Sequence, residues 1–196
     1  MYTQDPAFWR AGAISSTAVM FAVLIILTVD SVRAIVPGGS HVPAYNVINQ
    51  QIGYRFDSAR HEAVPTIGGE ELLFNQRYTE ADAARLLGTG KLVIQSRACM
   101  DCHTFFGNGA YYAPDLTKAW LDPIWTAWGP MYGVKRRDQA MVAFLMHPDR
   151  FPLGERTMPD LGLSEDEAKA AVAYFKWMSA VDANGFPAGF PPAGAQ

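Results

Sequence analysis

The sequence predicts an all-α protein, with a single membrane-spanning helix near its amino terminus followed by one small helical domain. Three observations lead to this prediction. Residues 11–29 contain no charged side chain, and residues 18–27 are almost wholly apolar. Three later segments, starting near residues 79, 137 and 164, place apolar residues at helical spacing. Between the first two of these lies Cys99-Met100-Asp101-Cys102-His103, which contains the only cysteines of the chain.

The composition excludes some classes of function. With 196 residues, the chain is long enough for one domain and an appendage. Its net charge is −3, and its densest basic run, Lys135-Arg136-Arg137, is typical of a solvated helix start. We therefore expect no nucleic-acid partner.

We interpret residues 1–34 as an amino-terminal segment whose membrane anchor covers about residues 11–30. As a helix the apolar run would be roughly 28 Å long, close to the thickness of the hydrocarbon core. Trp9 precedes it at a position that suits an interfacial anchor. A cleaved signal peptide is the alternative, with Ser31–Ala34 as a weak cleavage site. The apolar run is long for a signal peptide and its leading segment is not basic, so a retained anchor is favoured.

Residues 35–78 predict an irregular extension. Proline and glycine interrupt this segment repeatedly, and no helical period is sustained. The short runs at 45–48 and 52–56 are compatible with strands or extended contacts. His41 and His61 also lie here, and we interpret both as polar surface rather than metal ligands.

The motif at residues 99–103 predicts covalent attachment of one haem c. In C-x-x-C-H the two thiols become thioethers, and the adjacent histidine reaches the iron from the same side. Cys99 and Cys102 are thus the covalent anchors, and His103 is one axial ligand. A redox dithiol and half of a zinc site share the cysteine spacing, but no βαβ pattern and no second cysteine pair are present. Because this attachment takes place outside a bacterial cytoplasmic membrane, the amino terminus would lie inside.

The haem domain is predicted over residues 79–185, with a class I cytochrome c fold. Its first helix follows a capping box at Thr79–Asp82. One face of that helix carries Ala84, Leu87, Leu92 and Val93. Gly88 and Gly90 weaken the helix locally, but small residues there allow another helix to cross closely.

Two more helices complete the predicted domain. One covers Arg137–Met146 and ends before Pro148. The last begins at a capping box formed by Ser164 and Glu167 and ends by Gly185. The Pro/Gly-rich tail 186–196 is expected to be extended.

The loop after the haem motif supplies a predicted partner for His103. Residues 107–116 read Gly-Asn-Gly-Ala-Tyr-Tyr-Ala-Pro-Asp-Leu. The carbonyl of Pro114 is the candidate acceptor for the second ring nitrogen of His103, an interaction that fixes a ligand's orientation. The tryptophan-rich segment 120–132 is expected to wall the haem.

A methionine is the favoured second axial ligand, since a thioether gives a higher reduction potential than a second imidazole. Methionines on predicted helices are more often core residues. Met158 lies instead in the proline-held loop Arg156–Asp160, so it is the preferred ligand. The candidates considered are Met131, Met141, Met146, Met158, Met178 and His147, of which Met131 and His147 remain the open alternatives.

Taken together, these motifs resemble the cytochrome c subunit of bacterial nitric oxide reductase. The resemblance covers the anchor and roughly Gly90 to Pro187, and its specific part is the Gly-x-Gly-Ala-Tyr-x-Ala-Pro loop. Met158-Pro159 and the run at 174–177 extend it. Residues 35–78 depart from the family, which is usually much shorter there.

This resemblance implies a function without catalysis in this chain. The family relays electrons from a soluble periplasmic donor, a cytochrome c or a cupredoxin, through haem c to a multi-span subunit with haem b. That subunit reduces nitric oxide to nitrous oxide. The resemblance also implies that the carbonyl of Tyr111 helps to hold a Ca²⁺ ion shared with that subunit, and that the haem domain lies in the periplasm, anchored to the inner membrane. Three alternatives stay open: a mono-haem subunit of another haem–copper oxidase, a free-standing anchored shuttle and a haem-based sensor.

Overall fold

A computed structural model describes residues 4–150 and 157–187. The chain divides into two compact units, Met1–Val42 and Pro43–Gln196. The helix-rich fold class predicted from the sequence is confirmed. The prediction for residues 188–196 of the tail lies outside the described residues.

The first unit consists mainly of helix α1, Pro6–Ile35. Asp5 caps it by accepting a hydrogen bond from the Ala7 N–H at 2.9 Å, and Pro6 occupies the first turn, where no N–H is needed. The most apolar window has a mean hydropathy of 2.2, and no residue of the helix is buried. Among the described residues it is the one helix long and apolar enough to cross a membrane. It extends beyond the predicted 11–30 at both ends.

The second unit is built around the packing of α2, Glu80–Ser96, on α5, Glu165–Ser179. Helix α4, Arg137–Met146, packs on α5 as well, and its bounds are those predicted. The predicted close crossing is confirmed at Gly90. A Cβ atom there would lie 2.1 Å from the carbonyl oxygen of Ala170, so α2 and α5 approach almost backbone to backbone.

The buried face of α2 differs in part from the predicted one. Leu92 is 65 % exposed, and Ala84 is only partly buried. The buried residues are mostly three or four positions apart. They form a stripe that is rotated slightly about the helix axis from the predicted one. The stripe consists of Ala83, Leu87, Gly90, Val93 and Ile94.

The caps of the two main helices follow the sequence closely. Ser164 and Glu167 form the predicted capping box, with hydrogen bonds in both directions. Thr79 caps α2 by accepting from the Asp82 N–H at 3.1 Å. The Asp82 carboxylate, however, accepts from the Thr79 hydroxyl at 2.7 Å, so the return bond of a full box is not made. Aspartate is one methylene shorter than the glutamate or glutamine that usually makes that bond.

The segment 35–78 is more regular than predicted. Strands β1, Gln50–Asp57, and β2, Glu62–Glu70, form an antiparallel hairpin with a register irregularity between Gln50 and Ile52. Glycines and Pro65 interrupt the alternation of apolar residues, so the sequence pattern does not predict the hairpin. Tertiary contacts hold it: the Tyr54 hydroxyl donates to the Ser179 carbonyl at 2.9 Å, and Arg60 pairs with Asp182 at 2.7 Å.

The compact unit therefore begins at Pro43 and not near Thr79. The side-chain amide of Asn49 pairs with both backbone groups of Tyr78, at 2.9 Å each. The carboxylate of Glu80 accepts from the N–H groups of Tyr45 and Asn46, also at 2.9 Å each. These bonds join the extension to the start of α2, so it forms part of the domain.

The segment between α2 and α4 carries the short elements around the candidate site. Strands β3, Thr104–Phe105, and β4, Asn108–Gly109, form a minimal hairpin. Helix α3, Ile124–Trp128, lies within the tryptophan-rich segment 120–132 and has a 3₁₀ turn on either side, Ala119–Leu121 and Gly129–Tyr132.

Candidate haem-binding site

A tight turn at the end of α2 brings both cysteines and the histidine to one side of the chain. Ala98 adopts a left-handed conformation, with φ 54°, and a 3₁₀ turn, Cys99–Asp101, follows directly. The His103 N–H then donates to the Cys99 carbonyl at 3.0 Å. Both thiols are free and partly exposed, and burial raises the pKa of Cys99. Cys102 and His103 line the same two cavities, so the motif faces a concave part of the surface.

The ring of His103 is held from behind. Its Nδ1 lies 2.7 Å from the carbonyl oxygen of Pro114. A carbonyl can only accept, so Nδ1 carries the proton and Nε2 keeps its lone pair. The histidine is thus oriented and in the tautomer that a metal would bind through Nε2.

The loop after the motif is fastened to the motif by backbone hydrogen bonds. Ala113 N–H donates to the Cys102 carbonyl at 2.8 Å, and Ala110 N–H to the Met100 carbonyl at 3.0 Å. Gly109, with φ 122°, makes this approach possible, because a Cβ there would lie 2.2 Å from the His103 carbonyl oxygen. The second glycine of the Gly-x-Gly-Ala-Tyr run is therefore required by close packing as well as by its backbone angle.

Three polar residues that the sequence analysis did not single out brace the same loop. Asp115 accepts from the Thr104 hydroxyl at 2.6 Å and from the Thr117 N–H at 2.8 Å. The Thr117 hydroxyl in turn accepts from the Phe106 N–H at 2.8 Å, and Thr117 is fully buried. This network fixes the residue that follows Pro114 and so supports the carbonyl that holds His103. In the sequence, the one indication of this network was the position of Asp115 directly after Pro114, since aspartate and threonine are common in any turn.

Two adjoining cavities open beside the motif. The larger has a volume of about 560 Å³ and extends outward to Tyr111 and Tyr112. A cavity of this size is in the usual range for a cofactor site. The smaller is almost entirely apolar and reaches inward to Cys99 and Phe175. Both are lined by Cys102, His103, Leu116, Ala119, Trp125, Phe144, Met158 and Pro159.

An aromatic wall closes one side of the larger cavity. The rings of Trp125 and Trp128 meet edge to face at 5.5 Å, and each lies within 5.5 Å of Phe144. The indole N–H of Trp125 donates to the Ala119 carbonyl at 2.7 Å, which fixes its ring. Trp120 lies elsewhere: it is buried, it lines neither cavity, and Lys176 lies 4.8 Å from its ring centroid.

The candidates for the second axial position separate by location. Met158 lines both cavities, and Met141, which is 1 % exposed on α4, lines only the smaller. The other candidates line neither of these cavities: Met131, Met146, Met178 and His147. Of Met158, Met131 and His147, Met158 alone lines the two cavities that His103 lines.

The predicted calcium-binding residue lies at the outer edge of the site. Tyr111 is 82 % exposed, and its hydroxyl donates to the Gly107 carbonyl at 3.0 Å. Within residues 4–150 and 157–187, no group of three or more His, Cys, Asp or Glu side chains is placed to hold a metal ion. A calcium ion at the Tyr111 carbonyl would therefore find no such cluster of side chains among the described residues.

The residues present fit a haem c. Two free thiols, a histidine in the correct tautomer and a methionine converge on an apolar cavity with aromatic walls. This donor set, two covalent anchors with a nitrogen and a thioether, is that of an electron-transfer haem.

Comparison with known proteins adds to this description. Residues 88–179 match the family model for cytochrome c. The chain is similar to the C subunit of nitric oxide reductase from Stutzerimonas stutzeri, with 29 % identity over 122 residues, which is 60 % of this chain and 75 % of the relative. The chain is also similar to the corresponding subunit from Halomonas halodenitrificans, with 25 % identity over 58 % of this chain and 69 % of the relative. For Paracoccus denitrificans the identity is 26 %, over 50 % of this chain and 62 % of the relative.

Proposed function

We propose that this chain, which contains a cytochrome c domain with a covalently bound haem c, is the electron-transfer subunit of a nitric oxide reductase. The cavity that gathers Cys99, Cys102, His103 and Met158 is the observation that carries the proposal. The similarity to the C subunit of nitric oxide reductase from three bacteria supports the choice of enzyme. Bound haem c supplies a one-electron carrier whose potential is set by its axial ligands.

In this proposal each residue of the site has a separate task. Cys99 and Cys102 would anchor one haem, and His103, whose ring the Pro114 carbonyl holds, would bind its iron through Nε2. Met158 would supply a thioether sulfur as a further ligand of the iron. With both of these ligands bound, the iron would have no open position for a substrate, so this chain would transfer electrons while nitric oxide is reduced in its partner.

The partner is a multi-span catalytic subunit with haem b and a non-haem iron. Helix α1 anchors the chain in the inner membrane, with the haem domain on the periplasmic side, where thioether attachment takes place. A soluble donor, a cytochrome c or a cupredoxin, reduces the domain from that side. The exposed position of the 107–116 loop at the mouth of the larger cavity suits a contact with the catalytic subunit. A calcium ion held by the Tyr111 carbonyl and by ligands of that subunit would tie the two together.

The test is to purify the full chain from its native membranes in a mild detergent and to identify what accompanies it. We expect one covalent haem per chain by pyridine haemochrome assay, a co-purifying subunit with haem b and non-haem iron, and nitric oxide reduction by the complex. A copper-containing oxygen reductase as the partner would contradict the proposal and favour another haem–copper oxidase. A stable lone subunit would favour a free-standing shuttle.

The choice of Met158 has its own test. Met158→His replaces a thioether with an imidazole, so the reduction potential should fall and electron delivery to the partner should slow. Met141→Leu is the matched control, because Met141 lines the smaller cavity and its replacement conserves volume. An unchanged potential in Met158→His, or a fall in Met141→Leu, would show that another residue is the ligand.

A further inference from the structure

One arginine spans the two parts of the chain that carry the proposed iron ligands. Arg97 directly follows α2 and lies two residues before Cys99. Its side chain is 34 % exposed and lines the smaller cavity. We call residues 157–163, which connect Met158 to the start of α5, the Met158 loop.

The guanidinium of Arg97 makes hydrogen bonds to this loop and to α5. Its Nη1 donates to the carbonyl of Leu161 at 3.2 Å. Its Nη2 donates to both carboxylate oxygens of Glu167, at 2.8 and 3.0 Å. Leu161 lies three residues after Met158, and Glu167 belongs to the capping box at the start of α5. One side chain therefore joins the haem motif, the Met158 loop and the helix that follows.

Two other contacts of the loop act on its local shape and on its far end, and Leu161 is partly buried against the hydrophobic core. Asp160 accepts from the Gly162 N–H at 2.8 Å, which closes a turn within the loop. Leu163 is buried, and Ser164 begins α5. Neither contact attaches the part near Met158 to the segment that carries Cys99. The planar fork of Arg97, with donors on two nitrogens, does so.

We propose that Arg97 is a positioning residue that keeps Met158 on the haem iron by fastening the Met158 loop to the haem motif. This inference rests on the proposed function, because it requires a haem whose iron takes Met158. When the clamp is removed, the loop samples positions with the sulfur off the iron more often. An external ligand that competes for that position then binds with an apparent affinity that rises in proportion to the unligated population.

The experiment uses the full haem-loaded chain in detergent, in its ferric state. Two quantities are measured: the red charge-transfer band of the methionine–iron(III) bond and the apparent affinity for imidazole. We expect Arg97→Gln to weaken the band and to raise the imidazole affinity about fivefold, the scale of one partly exposed charge-assisted contact. Arg97→Lys, which can replace only one of the bonds, should lie between. Arg85→Gln is the control: Arg85 lies on α2, is 77 % exposed and pairs only locally with Asp82.

A second variant covers the case in which Arg97→Gln does not fold. Glu167→Gln keeps an oxygen that can accept from the Ser164 N–H but removes the charge that Arg97 binds. It should change the band and the imidazole affinity in the same direction and by less. Wild-type values in Arg97→Gln, or in Glu167→Gln where Arg97→Gln does not fold, would overturn the clamp.

The remaining outcomes separate the clamp from the proposed function. A change confined to the pH dependence of the reduction potential would overturn the clamp and assign Arg97 to the haem propionates. A wild-type chain with haem but without the methionine band would overturn the clamp together with the role of Met158. The expected changes in a chain that purifies without any reductase would support the clamp and overturn the proposed function.

Discussion

The crossing of α2 and α5 predicts opposite effects for the same substitution at two neighbouring glycines. At Gly90 an added Cβ would lie 2.1 Å from the Ala170 carbonyl oxygen and 2.9 Å from the Tyr174 Cβ. At Gly88, on the exposed side of the same helix, it would meet nothing within 4 Å. Gly90→Ala and Gly88→Ala therefore make the same chemical change in the same helix. They differ in that only Gly90 lies where α2 crosses α5.

The expected free energies follow from two opposing effects. Alanine in place of glycine stabilises a helix interior by about 1 kcal/mol, and this is the whole effect at Gly88. At Gly90 the shortest contact falls more than about 1 Å below ordinary van der Waals distance. Because the obstructing atoms are two backbone atoms and a Cβ, none can move away by a side-chain rotation. Overpacking should therefore cost about 3 kcal/mol, the upper part of its usual range. The net result is a destabilisation of about 2 kcal/mol for Gly90→Ala and a stabilisation of about 1 kcal/mol for Gly88→Ala.

Urea unfolding of the haem-loaded protein, followed by circular dichroism, measures the change in the free energy of unfolding for both variants. In thermal unfolding the same changes correspond to a fall of about 4–8 °C for Gly90→Ala and a rise of about 2–4 °C for Gly88→Ala. Since α2 leads directly into Cys99, the Gly90 variant should also bind less haem. Equal stabilisation by both substitutions would refute the close crossing.

Three further predictions concern the loop, a buried lysine and the exposed tyrosine. Gly109→Ala should lower the haem-to-protein ratio of the purified chain several-fold, because the new methyl group collides with the His103 carbonyl; Gly133→Ala, which also has a positive φ but open space around it, should not. Lys118 is buried, and desolvation lowers its pKa to about 8 from the ordinary 10.5. The unfolded chain then holds more protons between these two values, so the free energy of unfolding should rise with pH across that window, by about 3 kcal/mol in total. Lys118→Met should reduce this rise in urea unfolding at a series of pH values, and an undiminished rise would refute the assignment. Tyr111→Phe should leave haem content and assembly with the partner almost unchanged, since only the backbone carbonyl is assigned a role; loss of the partner on purification would implicate the hydroxyl.

Features that depend on neighbouring residues were predictable from the sequence. The capping box at Ser164, the bounds of α4 and the apolar span of α1 each follow from residues within a few positions of one another. The glycine at position 90 also indicated a close crossing, although it did not indicate which helix crosses there. The prediction of the buried face of α2 was less accurate. A rotation of the helix about its axis by part of a turn buries Ile94 and exposes Leu92, while the local pattern of apolar residues stays the same.

Features that join distant parts of the chain were not predictable. The β1–β2 hairpin is fixed by Tyr54, whose hydroxyl reaches Ser179 and contacts Lys118, more than sixty residues away in either case. Lys118 also donates to the Val181 carbonyl at 3.0 Å. The Arg97 clamp likewise spans 64 and 70 positions, to Leu161 and Glu167. An arginine or a lysine in the sequence is normally a surface residue, and nothing nearby marks these two as different.

The sequence by itself determined that this chain carries a haem motif and an apolar helix, since two thiols and an imidazole within five residues, or an uninterrupted apolar run, are local properties that survive any fold. The tertiary structure decided which of the candidate ligands kept open line the same cavities as His103, and it placed Arg97 against the loop that follows Met158. That choice depends on how α2, α4 and α5 pack, because only the packed chain brings Met158 and Arg97, 61 positions apart in the sequence, to the wall of one cavity.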